Sequence, residues 1–86
     1  MNFNIEVLKK KIAYRSSYRG TKEMDLLLGS FVKDIINDLN QNDLTTLLNF
    51  LELDDEKLYK INQGIKTNIS IEENKITNLF IKYKLK

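Results

Sequence analysis

The chain contains no cysteine, no histidine, no proline and no tryptophan, and its 86 residues include only three glycines and one alanine, Ala13. Without cysteine or histidine there is no disulfide, no thiolate nucleophile, no imidazole acid–base catalyst and none of the common zinc sites. Any catalysis would have to rest on Asp, Glu, Lys, Tyr, Ser or Thr. The missing cysteines also fit a reducing compartment. The glycines stand at 20, 29 and 64, far from the G-x-G-x-x-G or P-loop spacing that cradles phosphates. Tight binding of a dinucleotide by the chain alone is therefore not expected. No apolar run approaches the ~20 residues of a membrane span. The longest, "MDLLLGSFV", is short and followed by charges. The N-terminus has neither a secretory apolar core nor an Arg- and Ser-rich presequence. The expectation is a soluble protein of the bacterial cytoplasm rather than of the mitochondrial matrix.

What is present is charge in near balance: 14 basic and 12 acidic residues, a formal net charge of +2. No global attraction for polyanions follows. The distribution is less even. Lys9, Lys10, Lys11, Arg15, Arg19 and Lys22 crowd the N-terminal part, whereas Glu52, Asp54, Asp55 and Glu56 cluster later. A single domain of this length buries only about 60–65% of the surface its unfolded chain exposes. Its core is thin, which favours a solid bundle working through its outer surface over a self-contained enzyme.

Helical periodicity dominates, and five segments are expected in one all-α domain spanning 1–86. The first, about Asn4 to Ser17, places Ile5, Leu8 and Ile12 on one face, and the chain turns near Tyr18–Gly20. There glycine readily takes the angles that end a helix. The second, Lys22 to Asp38, carries Met24, Leu27, Leu28, Phe31 and Ile35, widened by Leu26, Val32 and Ile36. Being apolar over most of its circumference, it should be the most buried helix. Gly29 inside it costs about 1 kcal/mol relative to alanine, so either a neighbouring helix approaches closely there or the glycine is simply tolerated. The third helix is expected after an Asn42 cap, with Leu44, Leu47, Leu48 and Leu51 inward. The fourth is short, capped by Asp54, with Leu58 and Ile61 inward and Gly64 at its end. The fifth is expected from a Ser70–Glu73 capping box, with Ile76, Leu79, Phe80 and Tyr83 on its apolar face.

Three constellations could carry function. "ELDDE" lacks the ligand alternation and glycine of a calcium loop and reads as helix capping. The basic N-terminal cluster reads as a solvated face or as a nucleic-acid surface with Tyr14 and Tyr18 as stacking rings, although no nucleic-acid motif matches. "RGTKE" reads as an ordinary turn, with Arg19 pairing Glu23 for at most about 1 kcal/mol. It also reads as a surface offering a forked arginine, a bare backbone at Gly20 and a carboxylate.

The wider context narrows these readings. "YRSSYRGTKEMDLLLGSF", followed about thirty residues later by "LELDDEKLYKINQG", resembles the succinate dehydrogenase flavin assembly factor family, small proteins defined by an R-G-x-x-E motif. The resemblance spans about residues 8 to 64. Arg19, Gly20 and Glu23 match the motif, whereas Thr21 replaces a usually apolar residue, Tyr18 a usually basic one and Ile61 the usual tryptophan. The resemblance implies a five-helix bundle, non-catalytic itself, that binds the flavoprotein subunit of succinate dehydrogenase and promotes covalent attachment of FAD to a histidine of that subunit. In some bacteria it implies the fumarate reductase flavoprotein as well. FAD would be attached to the partner and not held tightly by this chain, which is expected to be a monomer when free. On this reading Arg19 and Glu23 make polar contacts with the partner and Gly20 permits close approach. Arg15, Tyr14, Tyr18 and Lys22 extend the surface, and Asp54, Asp55 and Tyr59 form its second half. The competing readings are a nucleic-acid-binding module on the basic cluster, a direct FAD carrier, and a generic interaction domain.

Overall fold

Thr21 opens the longest helix: its backbone is extended and its hydroxyl accepts a hydrogen bond from the Met24 N–H at 3.1 Å, satisfying one donor that a helix start leaves without a partner. The computed structural model describes residues 5–64 and 74–84. Within them the chain forms α1 (Ile5–Arg15), α2 (Lys22–Ile35), a 3₁₀ turn (Ile36–Asp38), α3 (Gln41–Phe50), α4 (Asp55–Asn62) and α5 (Lys75–Lys82). The described residues contain no strand, so the expected all-α bundle is what forms.

The α2 helix supplies five buried side chains, Met24, Leu27, Leu28, Phe31 and Val32. This fits its expected central place, but Leu26 is 58% exposed and does not widen the buried stripe. α1 packs mainly on α3 and less on α2. Ile12 is its buried anchor and Leu8 packs partly on the core, while Ile5 lies exposed beyond the packed face. α3 contributes Leu44, Leu47 and Phe50, with Leu51 just past its end. The α3 cap is Asn40, whose Oδ1 accepts from the Asp43 N–H at 2.8 Å. Asn42, the expected cap, lies inside the helix because the chain is already helical from Gln41.

The fourth helix matches expectation. Asp54 caps it through the Lys57 N–H at 2.9 Å, Leu58 and Ile61 are buried, and Gly64 follows the C-cap with φ +72°. That left-handed conformation favours glycine. Ser70 and Glu73, the expected cap of the fifth helix, lie outside the described residues. The described helix starts at an Asn74 cap that accepts from the Thr77 N–H.

The core closes around an aromatic group. Phe80 of α5 sits 4.8 Å from Phe31 and 5.3 Å from Phe50, ring centre to centre, and Tyr83 lies 5.4 Å from Phe31. Such tilted and edge-on pairs add to their area burial. Buried Asn62 donates its amide to the carbonyls of Phe80 and Tyr83, each at 2.9 Å. It thereby satisfies acceptors left open at the end of α5 and ties α4 to α5. Gly29 has no neighbour within 4 Å of where a Cβ would stand. It is the tolerated glycine of the two alternatives.

Candidate functional site

α1 ends at Arg15, and α2 begins at Lys22 after a connection of six residues. The connection reverses at Tyr18, whose φ of +56° is the single left-handed non-glycine conformation among the described residues. A side chain there costs about 1 kcal/mol or more. Gly20, the expected turn residue, does not hold that conformation, and its importance is spatial. A Cβ on it would stand 2.8 Å from Asp55 Oδ2.

That carboxylate is the centre of the site. Asp55 is the first residue of α4, just after the Asp54 cap. Its Oδ2 accepts the Gly20 N–H at 2.7 Å, and its Oδ1 accepts Arg19 Nε at 2.7 Å. The Arg19 guanidinium also donates through Nη1 to the carbonyls of Arg15 at 2.8 Å and Leu51 at 3.1 Å, and through Nη2 to that of Leu53 at 3.0 Å. The backbone N–H of Arg19 donates to Asp25 Oδ1. The Arg19 side chain is only 12% exposed and that of Asp55 26%. Charge-assisted hydrogen bonds in a partly dry setting are the stronger ones. The arginine therefore stitches the end of α1, the α3–α4 connection and the start of α4 together.

The Arg19–Glu23 pair expected of a simple turn does not form, since Arg19 turns to Asp55 instead. The Glu23 side chain sits exposed in the first turn of α2 and makes no hydrogen bond or ion pair among the described residues, nor does that of the adjacent Lys22. Beside the stitched turn lies an open cleft of about 470 Å³. Tyr14, Arg15, Tyr18, Arg19, Gly20, Asp54 and Asp55 line it, so seven of the residues singled out in the sequence converge there. Lys22, Glu23 and Tyr59 are not among its lining residues. Tyr59 is one helical turn beyond Asp55 on α4 and so shares its face. The rings of Tyr14 and Tyr18 are 6.0 Å apart and 68% and 84% exposed. Arg15 bridges the cleft to Glu52 at 3.1 Å.

Sequence reasoning missed Glu52, Asp25 and the carbonyls of Leu51 and Leu53. "ELDDE" signalled only helix capping, and Asp54 and Asp55 divide that role: one caps α4, the other anchors the turn. Of the basic cluster, Arg15 and Arg19 are committed to acidic partners, while Lys9 reaches the neutral amide of Asn37. Among the described residues no group of three or more metal-ligating side chains converges, and no helix is long and apolar enough to cross a membrane.

The fold and site together define a class: a small helical bundle whose distinctive feature is an open polar surface, set by an internal arginine–carboxylate clasp rather than by an enclosed pocket. The family model described as flavinator of succinate dehydrogenase matches residues 10–84. The chain belongs to that family. It is 36% identical over 50 residues to the mitochondrial succinate dehydrogenase assembly factor 2 of Arabidopsis thaliana, covering 58% of this chain and 27% of that protein. It is 33% identical over 55 residues to the FAD assembly factor SdhE of Acetobacter pasteurianus, covering 64% of this chain and 50% of that protein. The chain thus spans half or less of the length of these relatives. No solved structure matches it.

Proposed function

We propose that the chain is a non-catalytic assembly factor that binds the flavoprotein subunit of succinate dehydrogenase and promotes covalent attachment of FAD to it. The observation that carries this reading is the family match over residues 10–84, which includes the whole clasp and the exposed Glu23. The two relatives, named an assembly factor of that enzyme and an FAD assembly factor, support it.

The mechanism is conformational. The bundle docks the surface around the α1–α2 turn on the immature subunit, with Glu23 and Lys22 reaching out from α2, Tyr14 and Arg15 extending the contact along α1 and Tyr18 adding to it at the turn. Asp54 and Tyr59 flank it from α4. Docking holds the partner's acceptor side chain and the flavin ring in an attack-ready arrangement, and the bond forms between those two. Holding reactants in register can remove several kcal/mol of barrier. FAD is thus the partner's cofactor, and the free chain, a monomer, binds it weakly at most. The fumarate reductase flavoprotein is a second client of the same kind. The compartment is the bacterial cytoplasm, where a bacterial relative supports it; the mitochondrial relative makes the matrix the alternative.

A tagged chain mixed with the flavoprotein subunit purified without FAD should retain that subunit on an affinity column, while flavin titration of the chain alone shows no tight binding. Failure to retain the subunit at micromolar concentrations would overturn the docking role.

A further inference from the structure

We propose that Asp55 is a positioning residue for this surface: acting through Arg19 and Gly20, it holds the α1–α2 turn in the shape that presents Glu23 to the flavoprotein. This inference rests on the docking role proposed above and assigns different work to the three fixed letters of R-G-x-x-E. Arginine and glycine face inward onto one carboxylate; glutamate faces out.

The geometry gives each group a reason. A guanidinium has five N–H donors, and Arg19 uses four of them on Asp55, Arg15, Leu51 and Leu53. One donor is left for any partner. Asp55 places one oxygen on the Arg19 side chain and the other on the Gly20 backbone, so one carboxylate holds two consecutive residues of the turn. That second bond exists only because residue 20 lacks a side chain, since a Cβ would meet Oδ2 at 2.8 Å. Gly20 and Asp55, 35 residues apart, are therefore a matched pair. The clasp also holds the left-handed backbone at Tyr18, which has no local reason to persist. Glu23 stands in the first turn of its helix, three residues past Gly20, so its direction is set by how the turn is held. Asparagine at 55 would turn an NH₂ group toward one of two donors and lose that bond. Lysine at 19 would keep charge but not the fork.

The test measures covalent flavin formation on the apo flavoprotein subunit as the concentration of full-length chain is varied. Asp55→Asn and Arg19→Lys should each raise the half-saturating concentration about tenfold, the effect of one charge-assisted hydrogen bond on an equilibrium, with the plateau rate kept. The double variant should be no worse than the poorer single, because both break one clasp. Gly20→Ala, which removes no polar group, should reproduce the defect and lose its effect when Asp55 is already alanine. Independent, multiplying effects of Asp55→Asn and Arg19→Lys would show direct contacts and overturn the proposal. So would a half-saturating concentration within twofold of wild type for Asp55→Asn. A partner-free reading of the same clasp is the Gly20 amide resonance in a ¹⁵N-labelled chain. Asp55→Ala, which removes both acceptor oxygens, should shift it strongly upfield, and an unmoved resonance would mean the clasp is absent. If the wild-type chain itself fails to stimulate flavin attachment, the docking reading falls and the positioning role with it, while the Gly20 resonance still reports on the clasp.

Discussion

Two regions of the bundle are built by different physics. In one, Phe31, Phe50, Phe80 and Tyr83 pack ring on ring, and buried Asn62 seals the last helix. In the other, the α1–α2 and α3–α4 connections meet, and one arginine and one aspartate hold them. The first draws its stability from area removed from water, which is spread over many atoms. The second draws it from a few directional bonds, each of which fixes a shape. A surface that must present particular groups is better served by the second kind, because shape there depends on geometry more than on bulk.

That contrast can be broken from either side. The largest effect should come in the aromatic core. Phe80→Ala removes a fully buried ring and should destabilise by about 3–5 kcal/mol, a large share of the roughly 5–15 kcal/mol of a domain, read from a urea unfolding curve. At the clasp, Arg19→Ala should cost about 2–3 kcal/mol, since it takes from Asp55 its charged partner and leaves three backbone carbonyls without their donor. Unlike Phe80→Ala, it should leave the aromatic near-ultraviolet signal of the folded fraction intact. Gly29→Ala should stabilise by about 0.5–1 kcal/mol, because the position is helical and open to a methyl group. A loss of stability there would mean a neighbour does approach α2.

The smallest effect concerns pH. Burial, and then the hydrogen bond it donates to Asp34 at 3.0 Å, raise the Tyr83 phenol above its usual 10.0. The unfolded chain therefore loses this proton first as pH rises. The Tyr83 contribution is full below pH 10 and fades as pH climbs from there through the folded value. Tyr83→Phe should flatten that part of the stability curve, and an unchanged slope above pH 10 would contradict the assignment.

The legible parts of the molecule were those whose causes are local. The α2 stripe, the Asp54 cap and Gly64 after α4 follow from spacing and from residues acting on their immediate neighbours. Asn40 and Asn42 were equally good caps by type, and only the extended backbone at Leu39 and Asn40 selects the first. Stripe positions such as Ile5 and Leu26 show that a face is apolar but not how much of it a neighbour covers. The clasp was illegible for a clearer reason. Arg19 and Glu23 have the spacing of a helical ion pair, but α2 starts at Lys22, so Arg19 stands outside the helix and that rule does not apply to it. Its true partner is 36 residues away, a distance no local pattern reaches. The turn likewise was credited to Gly20 by residue type, whereas Tyr18 makes it and Gly20 makes room for Asp55.

The most direct test of the functional account is the time course of covalent flavin on the succinate dehydrogenase flavoprotein subunit, read as in-gel fluorescence after denaturation. Apo subunit and FAD are mixed with wild-type chain, with Glu23→Ala, or with neither. The account predicts that wild-type chain accelerates attachment severalfold or more, and that Glu23→Ala, folded as stably as wild type to within about 0.5 kcal/mol, gives little acceleration. Equal flavin yield in all three mixtures would contradict it.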